Sequence, residues 1–234
     1  MLNLLNRFVR KVRRIIRPDC PYTHSFSQDG EDMILDQIFW TKLKGVYVDV
    51  GAHHPIRFSN TYRFYLRGWT GINIDAAPGS MSAFHKFRPK DTNLELAIAE
   101  HSGRMTFHIF NEPALNTFDA TLAKERDGQD SFRIISTKMV PVRTLSQVLD
   151  EHLPVNQEID FLSVDVEGFD LAVLRSNDWK RFRPEYILAE DCAVETVEQA
   201  LNCPIAIFLR SVGYTLFAKT SLTQIFRRIS YLIL

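Results

Sequence analysis

The sequence is poor in cysteine and has no long apolar run. Its three cysteines, Cys20, Cys192 and Cys203, form no Cys-x-x-Cys pair, which argues against a disulfide framework and a cysteine-rich zinc site and favours a reducing compartment. No stretch reaches the roughly 18 consecutive apolar residues that a membrane-spanning helix needs. The chain nevertheless has 234 residues, 45% of them hydrophobic, which is enough for one sizeable core.

Charge is balanced over the whole chain but unevenly distributed. Residues 1–18 carry six basic side chains and no acidic one, whereas the rest of the chain carries 22 basic and 28 acidic side chains. The net acidic remainder would repel a phosphate backbone, which argues against binding of nucleic acid. We therefore predict a separate N-terminal segment, 1–18, followed by one domain, 19–234.

Apolar residues recur at helical spacing through the N-terminal segment, with basic residues between them, as far as Pro18. This pattern predicts a basic amphipathic helix. Such a helix can lie on an anionic membrane, and residues 1–17 would then give a cytoplasmic protein a peripheral contact with the inner face of the membrane. Alternatively, the apolar stripe packs against the chain's own domain or against a partner subunit of a homo-oligomer.

The remainder alternates predicted strands with predicted helices. Strands are expected at 45–50, 71–75, 93–99, 104–110, 137–144, 159–166, 185–190 and 214–219, and helices at 60–69, 80–87, 144–153, 169–176 and 196–202. This alternation is typical of an α/β fold with a parallel sheet that is covered on both faces. Ligands bind such sheets at the carboxyl ends of the strands, where the strand order reverses.

The sequence VYVDVGAHHP, residues 46–55, ends the first predicted strand with a polar turn. Gly51 would let a ligand approach the main chain without a Cβ in the way. The Gly-x-Gly-x-x-Gly fingerprint fails because His53 and Ile56 stand where its second and third glycines belong, and the phosphate loop of nucleotide triphosphatases is absent. A dinucleotide-dependent dehydrogenase is therefore disfavoured.

Asp75 ends the next predicted strand, 24 residues after Gly51. This is close to the spacing of about 20 residues at which an acid accepts hydrogen bonds from the ribose of an adenine cofactor. An adenosine ligand without phosphates, such as S-adenosylmethionine, fits both features, with Asp49 or its neighbours facing the amino-acid and sulfonium end. Either acid taken alone could instead cap a helix or a turn.

Four segments, in chain order, resemble the FkbM-type S-adenosylmethionine-dependent methyltransferases, particularly the subgroup associated with bacterial surface-polysaccharide and glycan loci. They are SFSQDGEDMIL (25–35), YVDVGAHHPIRFSNTYRFYLRGWTGINIDA (47–76), NEPALNTF (111–118) and IDFLSVDVEGFDLAVLRSNDW (159–179). The chain departs from many members at His53-His54-Pro55, where they carry a second glycine.

The resemblance implies a Rossmann-like class I methyltransferase fold, with a mostly parallel seven-stranded sheet and helices on both faces. It also implies O-methylation of a sugar hydroxyl in a glycan, a surface polysaccharide or a lipid-linked precursor. The expected cofactor-binding residues are Asp49, Gly51, Ala52, His53, Asp75, Ala76 and Gln28. Gln28 belongs to a stretch that either folds over the cofactor or forms the acidic start of a helix.

A polar loop contains the expected substrate-binding residues, Asn111, Glu112, Asn116 and Thr117. Polar loop residues on a rigid scaffold are typical of substrate recognition. Turn formation explains the same residue types equally well.

Acidic residues end two strands that would be neighbours in this fold. Asp165 and Glu167 end one, and Glu190 and Asp191 end the other. Such carboxylates repel one another unless they share protons or bind a cation. The arrangement resembles Mg²⁺-dependent sugar O-methyltransferases of the macrocin type, which implies that Asp165, Glu190 and Asp191 bind Mg²⁺ or another divalent cation.

Without a metal, Asp165, Glu167 or His53 would be the catalytic base. Glu167 could instead cap the following helix, and lysine or arginine could neutralise the other acids. A different class of function also remains open, a non-catalytic protein that retains the methyltransferase fold and binds a membrane or a partner.

Overall fold

The computed structural model describes residues 24–229. The predicted helix at 1–18 and Cys20 lie outside the described residues. Within residues 24–229, no helix is long and apolar enough to cross a membrane.

Helices and strands alternate along most of the described chain. The helices are α1 (Glu31–Ile38), α2 (Tyr62–Leu66), α3 (Met81–Phe87), α4 (Ala120–Arg126), α5 (Leu145–His152), α6 (Asp170–Arg175), α7 (Val197–Asn202) and α8 (Pro204–Ser211). The strands are β1 (Val46–Val50), β2 (Thr70–Asp75), β3 (Thr92–Glu95), β4 (Ala97–Ile98), β5 (Gly103–Phe110), β6 (Ile134–Arg143), β7 (Phe161–Val164), β8 (Tyr186–Glu190), β9 (Tyr214–Lys219) and β10 (Thr223–Arg228).

Seven strands form one sheet in the order β3-β2-β1-β7-β8-β10-β9. Neighbouring strands are parallel except that β10 runs antiparallel to β8 and β9. The strand order reverses at β1, which has β2 on one side and β7 on the other. This topology confirms the expected Rossmann-like class I methyltransferase fold and places a ligand site at the carboxyl end of β1.

Alternate residues of the central strands face two cores, because successive side chains of a strand point to opposite faces. Val48 of β1 and Leu162 of β7 pack on one face with residues of α5, α6 and α8. Tyr47 and Phe161 pack on the other face with apolar residues of α1 and α2. Helices therefore cover both faces of the sheet, as predicted.

A second sheet has three strands in the order β4-β6-β5. The strand predicted at 93–99 is divided at Leu96, because β3 pairs with β2 in the large sheet and β4 pairs with β6 in the small one. Ala97 and Phe107 belong to a small core that packs against Ala76 and Ala77. The small sheet consequently lies beside the loop that follows β2.

Three elements, α4, α8 and β10, were not predicted. In β10, the consecutive residues Gln224, Ile225 and Phe226 are all buried. The strand lies between β8 and β9 with both faces covered, so its sequence lacks the alternation of a half-exposed strand. α4 begins in a stretch that looks rich in turns, where Asp119 accepts hydrogen bonds from the backbone N–H groups of Thr121 and Leu122.

Candidate active site

The turn after β1 is packed tightly against the end of β7. Gly51 has φ 82°, and a Cβ added there would lie 1.7 Å from the carbonyl oxygen of Asp165. The N–H groups of Gly51 and Ala52 both donate to the carbonyl oxygen of Ile74, at 2.9 and 3.0 Å. The close approach of Asp165 is thus sufficient reason for a glycine at position 51, where the sequence had suggested room for a ligand.

Asp75 lies beside this turn at the end of β2. Its Oδ2 accepts a hydrogen bond from the N–H of His53, and its Oδ1 accepts one from the N–H of Ala77, each at 2.8 Å. Burial raises the pKa of Asp75, and these two N–H groups oppose the rise. Because a carboxylate offers about four lone-pair sites, each oxygen can still accept a bond from a ligand hydroxyl.

The residues around Asp75 were also predicted to bind the cofactor. Ala52 packs with Met81 and Phe84, and Ala76 packs against the small sheet. His53 has φ 50°, and its buried Nε2 has no hydrogen-bond partner among residues 24–229. The backbone bond from His53 to Asp75 places this histidine on the β2 side of the turn, and its role as a base stays a prediction.

His54 shapes the loop that follows. Its Nδ1 accepts hydrogen bonds from the N–H groups of Ile56 and Arg57, at 3.1 and 2.9 Å. Burial lowers the pKa of His54, and the nearby His53 and Arg57 lower it further. The ring thereby remains neutral and available as an acceptor, which accounts for the second histidine of the motif.

The carboxylate of Asp49 belongs to a buried polar network. It accepts a hydrogen bond from Thr61 Oγ1 at 2.7 Å, and Thr61 Oγ1 accepts one from Arg88 Nη1 at 2.9 Å. Arg88 is fully buried and forms an ion pair with Asp91 at 2.8 Å. Burial raises the pKa of Asp49, and the charge of Arg88 opposes this rise. Asp49 thus ties β1 to the start of α2, and its contact with a cofactor stays a prediction.

Three acidic side chains meet at the ends of β7 and β8. One carboxylate oxygen from each of Asp165, Glu167 and Glu190 lies within 4.8 Å of the other two. Asp165 and Glu190 follow Phe161 and Tyr186 by four residues, so the alternation of side chains carries them to the sheet face covered by α1 and α2. The predicted adjacency of the two acid-bearing strands is confirmed, because β7 pairs with β8 in parallel.

Mutual repulsion and enclosure by protein favour protonation within this group. Asp165 is accessible from the cleft but enclosed on its other sides, and this enclosure together with its hydrogen bond to Glu190 raises its pKa well above the usual range. Glu167 forms an ion pair with Arg126 at 2.9 Å, which opposes the increase in pKa that burial causes. Asp165 therefore holds its proton more tightly than an ordinary aspartic acid does.

Asp170 is a fourth acid of this group that the sequence analysis did not identify. Its Oδ1 accepts a hydrogen bond from the N–H of Glu190 at 3.3 Å. Burial and the charge of Glu190 raise the pKa of Asp170 to about 8. Its position at the start of α6 made it look like an ordinary acid in the first turn of a helix.

Asp191 is not among the acidic side chains that meet here, and its role as a metal ligand stays a prediction. Its Oδ1 accepts a hydrogen bond from the N–H of Ala193 at 3.1 Å, as in a turn. Adjacent residues at the end of a strand point to opposite faces, so Asp191 diverges from Glu190. The third acid that meets Asp165 and Glu190 is Glu167.

A shallow cleft in front of the acids opens to solvent, and the enclosed part of it has a volume of about 20 Å³. It is lined by Gln28, Asp29, Glu31, Phe58, Asn60, Asp165, Glu190, Leu222 and Thr223. Gln28 therefore lies with the acids of β7 and β8 and not beside Asp75. Its contact with a cofactor stays a prediction.

The first turn of α1 holds the segment that precedes this helix beside the cleft. Asp32 is fully buried and accepts hydrogen bonds from Ser25 Oγ at 2.6 Å, the N–H of Phe26 at 3.0 Å and Arg63 Nε at 3.0 Å. The acidic first turn of α1 thus holds the preceding loop against α2. The helix interpretation of this stretch is confirmed, and its folding over the cofactor stays a prediction.

The loop at 111–118 is held by its own polar residues. Asn111 accepts a hydrogen bond from the N–H of Arg133 at 2.8 Å, and Asn116 accepts one from the N–H of Phe110 at 2.8 Å. Thr117 Oγ1 donates to the carbonyl oxygen of Glu167 at 3.2 Å, which places the loop beside the acids. These bonds favour the turn interpretation. Substrate contacts by Asn111, Glu112, Asn116 and Thr117 stay predictions.

Two solved structures show a distant likeness to the chain. A TehB-like SAM-dependent methyltransferase from Corynebacterium glutamicum is 12% identical, with 95% of this chain and 97% of that chain covered and a TM-score of 0.40. A precorrin-6y C5,15-methyltransferase from Geobacter metallireducens is 14% identical, with 84% and 88% covered and a TM-score of 0.38. Neither likeness is close enough to support a conclusion about this chain.

Sequence comparison gives a firmer result. None of the curated proteins compared with the chain matches it significantly. The family model described as the methyltransferase FkbM domain, however, matches residues 49–216. That match spans well over half of the chain and includes the end of β1 and the acid-bearing ends of β7 and β8. The chain belongs to the FkbM methyltransferase family.

Proposed function

We propose that this protein transfers a methyl group from S-adenosylmethionine to a hydroxyl oxygen of a sugar in a glycan, a surface polysaccharide or a lipid-linked precursor. The observation that carries the proposal is the position of two polar sites on either side of the β1 turn. Asp75 lies on the β2 side, and Asp165 and Glu190 lie on the β7 and β8 side. The first suits a ribose, and the second suits a hydroxyl that must lose its proton.

On the β2 side, the chain's own groups would bind and orient the donor. S-adenosylmethionine supplies an electrophilic methyl group on a sulfonium sulfur when it is bound. The free lone pairs of Asp75 are suited to the two hydroxyls of a ribose. The buried Nε2 of His53, which has no partner within residues 24–229, offers a further polar contact.

On the acid side, the chain would orient the acceptor and take its proton. An alcohol attacks poorly while it is protonated, so transfer needs a base within hydrogen-bond reach of the hydroxyl. Asp165 faces the cleft and can take the proton once it is ionised, while Glu190 stabilises the pair by sharing a hydrogen bond. Arg126 holds Glu167 beside them at 2.9 Å.

A divalent cation is the alternative way to ionise these acids. Carboxylate oxygens within 4.8 Å of one another fit the oxygen donors that Mg²⁺ prefers, so Asp165, Glu167 and Glu190 would hold it. A cation at this position would lower the pKa of a bound hydroxyl. A proton on Asp165 and a bound cation are alternative ways of relieving the same repulsion.

Isothermal titration with S-adenosylhomocysteine, in buffer with Mg²⁺ and in buffer with EDTA, tests the proposal. We expect micromolar affinity in at least one buffer. Affinity that depends on Mg²⁺ would support the cation, and equal affinity would favour a proton on Asp165. No binding in either buffer would contradict the proposal and favour the non-catalytic alternative, a membrane- or partner-binding protein.

A further inference from the structure

Phe58 has an unusual backbone conformation at the mouth of the cleft. It has φ 56°, in the left-handed region that bulky residues rarely adopt, and its side chain is 49% exposed. It lines the same cleft as Asn60, Asp165 and Glu190. Strained backbone of this kind is retained where the surrounding structure holds it, often at ligand sites.

Hydrogen bonds on both sides hold Phe58 in this position. The N–H of Arg57 donates to His54 Nδ1 at 2.9 Å, and the N–H of Ser59 donates to the carbonyl oxygen of Phe26 at 3.0 Å. The first bond comes from the turn after β1 and the second from the segment before α1. The backbone on either side of Phe58 is therefore fixed by two separate segments, the turn after β1 and the segment before α1.

The ring itself is available on one face. The guanidinium of Arg57 lies over it at 4.8 Å from the ring centroid. Within residues 24–229, no other aromatic ring pairs with Phe58. About half of Phe58 is exposed, so its ring remains accessible to a ligand at the mouth of the cleft.

We propose that Phe58 is the platform on which the acceptor sugar stacks. Asp165 and Glu190 would then accept hydrogen bonds from the hydroxyls at the edge of the sugar ring. This proposal rests on the proposed function and adds a specificity-determining residue to it. A pyranose has an apolar face of C–H groups and a rim of hydroxyls. An aromatic face next to carboxylates and the amides of Gln28 and Asn60 complements both parts.

The ring also limits which acceptors fit. A hydroxyl on a flexible chain, as in glycerol, offers the same hydrogen bonds without a face to stack. The platform therefore favours ring-shaped acceptors, and among these it favours sugars because the facing acids bind several hydroxyls at once.

Saturation-transfer-difference NMR on the full chain loaded with S-adenosylhomocysteine tests this proposal. The probes are the methyl glycosides of glucose, mannose and rhamnose, with glycerol and catechol as comparison compounds. We expect at least one glycoside to receive saturation, most strongly at the C–H protons of one ring face. Phe58→Leu should weaken its binding by about fivefold to tenfold, whereas Phe58→Trp should retain it.

Phe87 provides a matched control. It is 46% exposed and lies beside a cation, with Lys86 Nζ 5.3 Å from the centroid of its ring, but it does not line the cleft. Phe87→Leu should leave the glycoside signal unchanged. An equal loss in Phe58→Leu and Phe87→Leu would overturn the proposal, because it would show binding to any exposed ring.

Titration of the same samples with S-adenosylhomocysteine separates this proposal from the proposed function. Binding of S-adenosylhomocysteine without saturation of any glycoside, or with stronger saturation of glycerol or catechol, would overturn the platform alone. An unchanged glycoside signal in a Phe58→Leu variant that binds S-adenosylhomocysteine normally would also overturn it. Glycoside saturation without binding of S-adenosylhomocysteine would support the platform and contradict methyl transfer.

Discussion

The carbonyl oxygen of Asp165 occupies the space that a side chain at Gly51 would need, 1.7 Å from the position of its Cβ. Gly51 belongs to the turn beside the proposed donor site, and Asp165 carries the carboxylate that faces the acceptor cleft. The two halves of the proposed active site are thus in direct contact through the backbone. The distance between the two halves is short because position 51 carries no side chain.

Gly51→Ala should destabilise the protein strongly, because the new methyl group would collide with backbone and the φ of 82° disfavours alanine. We expect the free energy of unfolding to fall by about 3 kcal/mol or more, measured by urea unfolding. Gly68→Ala is the matched control, because Gly68 has φ 85° but open space around its Cβ position. It should cost only about 1 kcal/mol. Equal losses would show that backbone strain alone explains Gly51.

Asp75→Asn should weaken the binding of S-adenosylhomocysteine about 10-fold to 100-fold, because ribose hydroxyls would lose a charged acceptor. Glu95→Gln is the control. Glu95 pairs with Asp75 across β2 and β3, and its Oε2 accepts a hydrogen bond from the N–H of Gly79 at 2.8 Å. Titration calorimetry should show little change in this variant. Unchanged affinity in Asp75→Asn would refute the ribose contact.

Asp165→Asn should lower methyl transfer at least about 100-fold, because an amide cannot take the proton of the acceptor hydroxyl. Affinity for S-adenosylhomocysteine should stay within about threefold, since the change lies outside the donor site. Asp191→Asn should leave transfer nearly unchanged, because Asp191 lies outside the acidic group. Transfer of a labelled methyl group to the best glycoside acceptor measures both variants. Retained turnover in Asp165→Asn would remove this residue from the mechanism.

Asp170 should make the protein less stable as pH rises. Its pKa in the folded state is about 8, above the ordinary value of 3.8, so the folded protein binds the proton more tightly than the unfolded chain does. The stabilisation is complete below the unfolded pKa and is lost as pH rises towards the folded pKa. Asp170→Asn removes this titration and keeps an acceptor oxygen for the N–H of Glu190.

The Asp170→Asn variant should exceed the wild type in stability by about 1 to 3 kcal/mol near pH 8 and by less near pH 5, measured by urea unfolding. Asp150→Asn is the control. The exposed carboxyl of Asp150 pairs with Arg181, which lowers its pKa further below this range. A wild-type stability that does not fall between these pH values would contradict the prediction for Asp170.

Deletion of residues 1–17 should weaken binding to anionic lipid vesicles at least about tenfold, because each basic residue near such a surface contributes about 1 kcal/mol. Neutral phosphatidylcholine vesicles and the variant Arg13→Gln/Arg14→Gln provide the controls in vesicle sedimentation. Unchanged binding after the deletion would favour docking of this segment on the protein itself. A change of oligomeric state on deletion, seen by analytical ultracentrifugation, would point to a partner subunit.

Strand positions and the acids that end the strands could be predicted because both depend on local sequence. The apolar run before Asp49 and the apolar runs before Asp165 and Glu190 each specify a buried strand, and the polar residues that follow mark its end. The alternation of strands with helices then indicates a parallel sheet. The resemblance of the motifs to FkbM methyltransferases supplied the family and the number of strands.

Tertiary structure alone decided which of these polar residues share a site. Neighbours such as Glu190 and Asp191 are equivalent in a sequence, but the register of the strand turns one towards the cleft and the other away. Asp49 belongs to a buried hydrogen-bond network that reaches Arg88 through Thr61, and Arg88 lies far from Asp49 along the chain.

The conformation of Phe58 could not be predicted from the sequence either, because its left-handed backbone depends on a hydrogen bond between Ser59 and the distant Phe26. The sequence by itself indicated most of the elements and the acids that end the strands, because these depend on periodicity and turn residues within a few positions. The resemblance of its motifs indicated the family. The direction and partners of each side chain depend on contacts between segments far apart in the chain, and only the folded structure decided them.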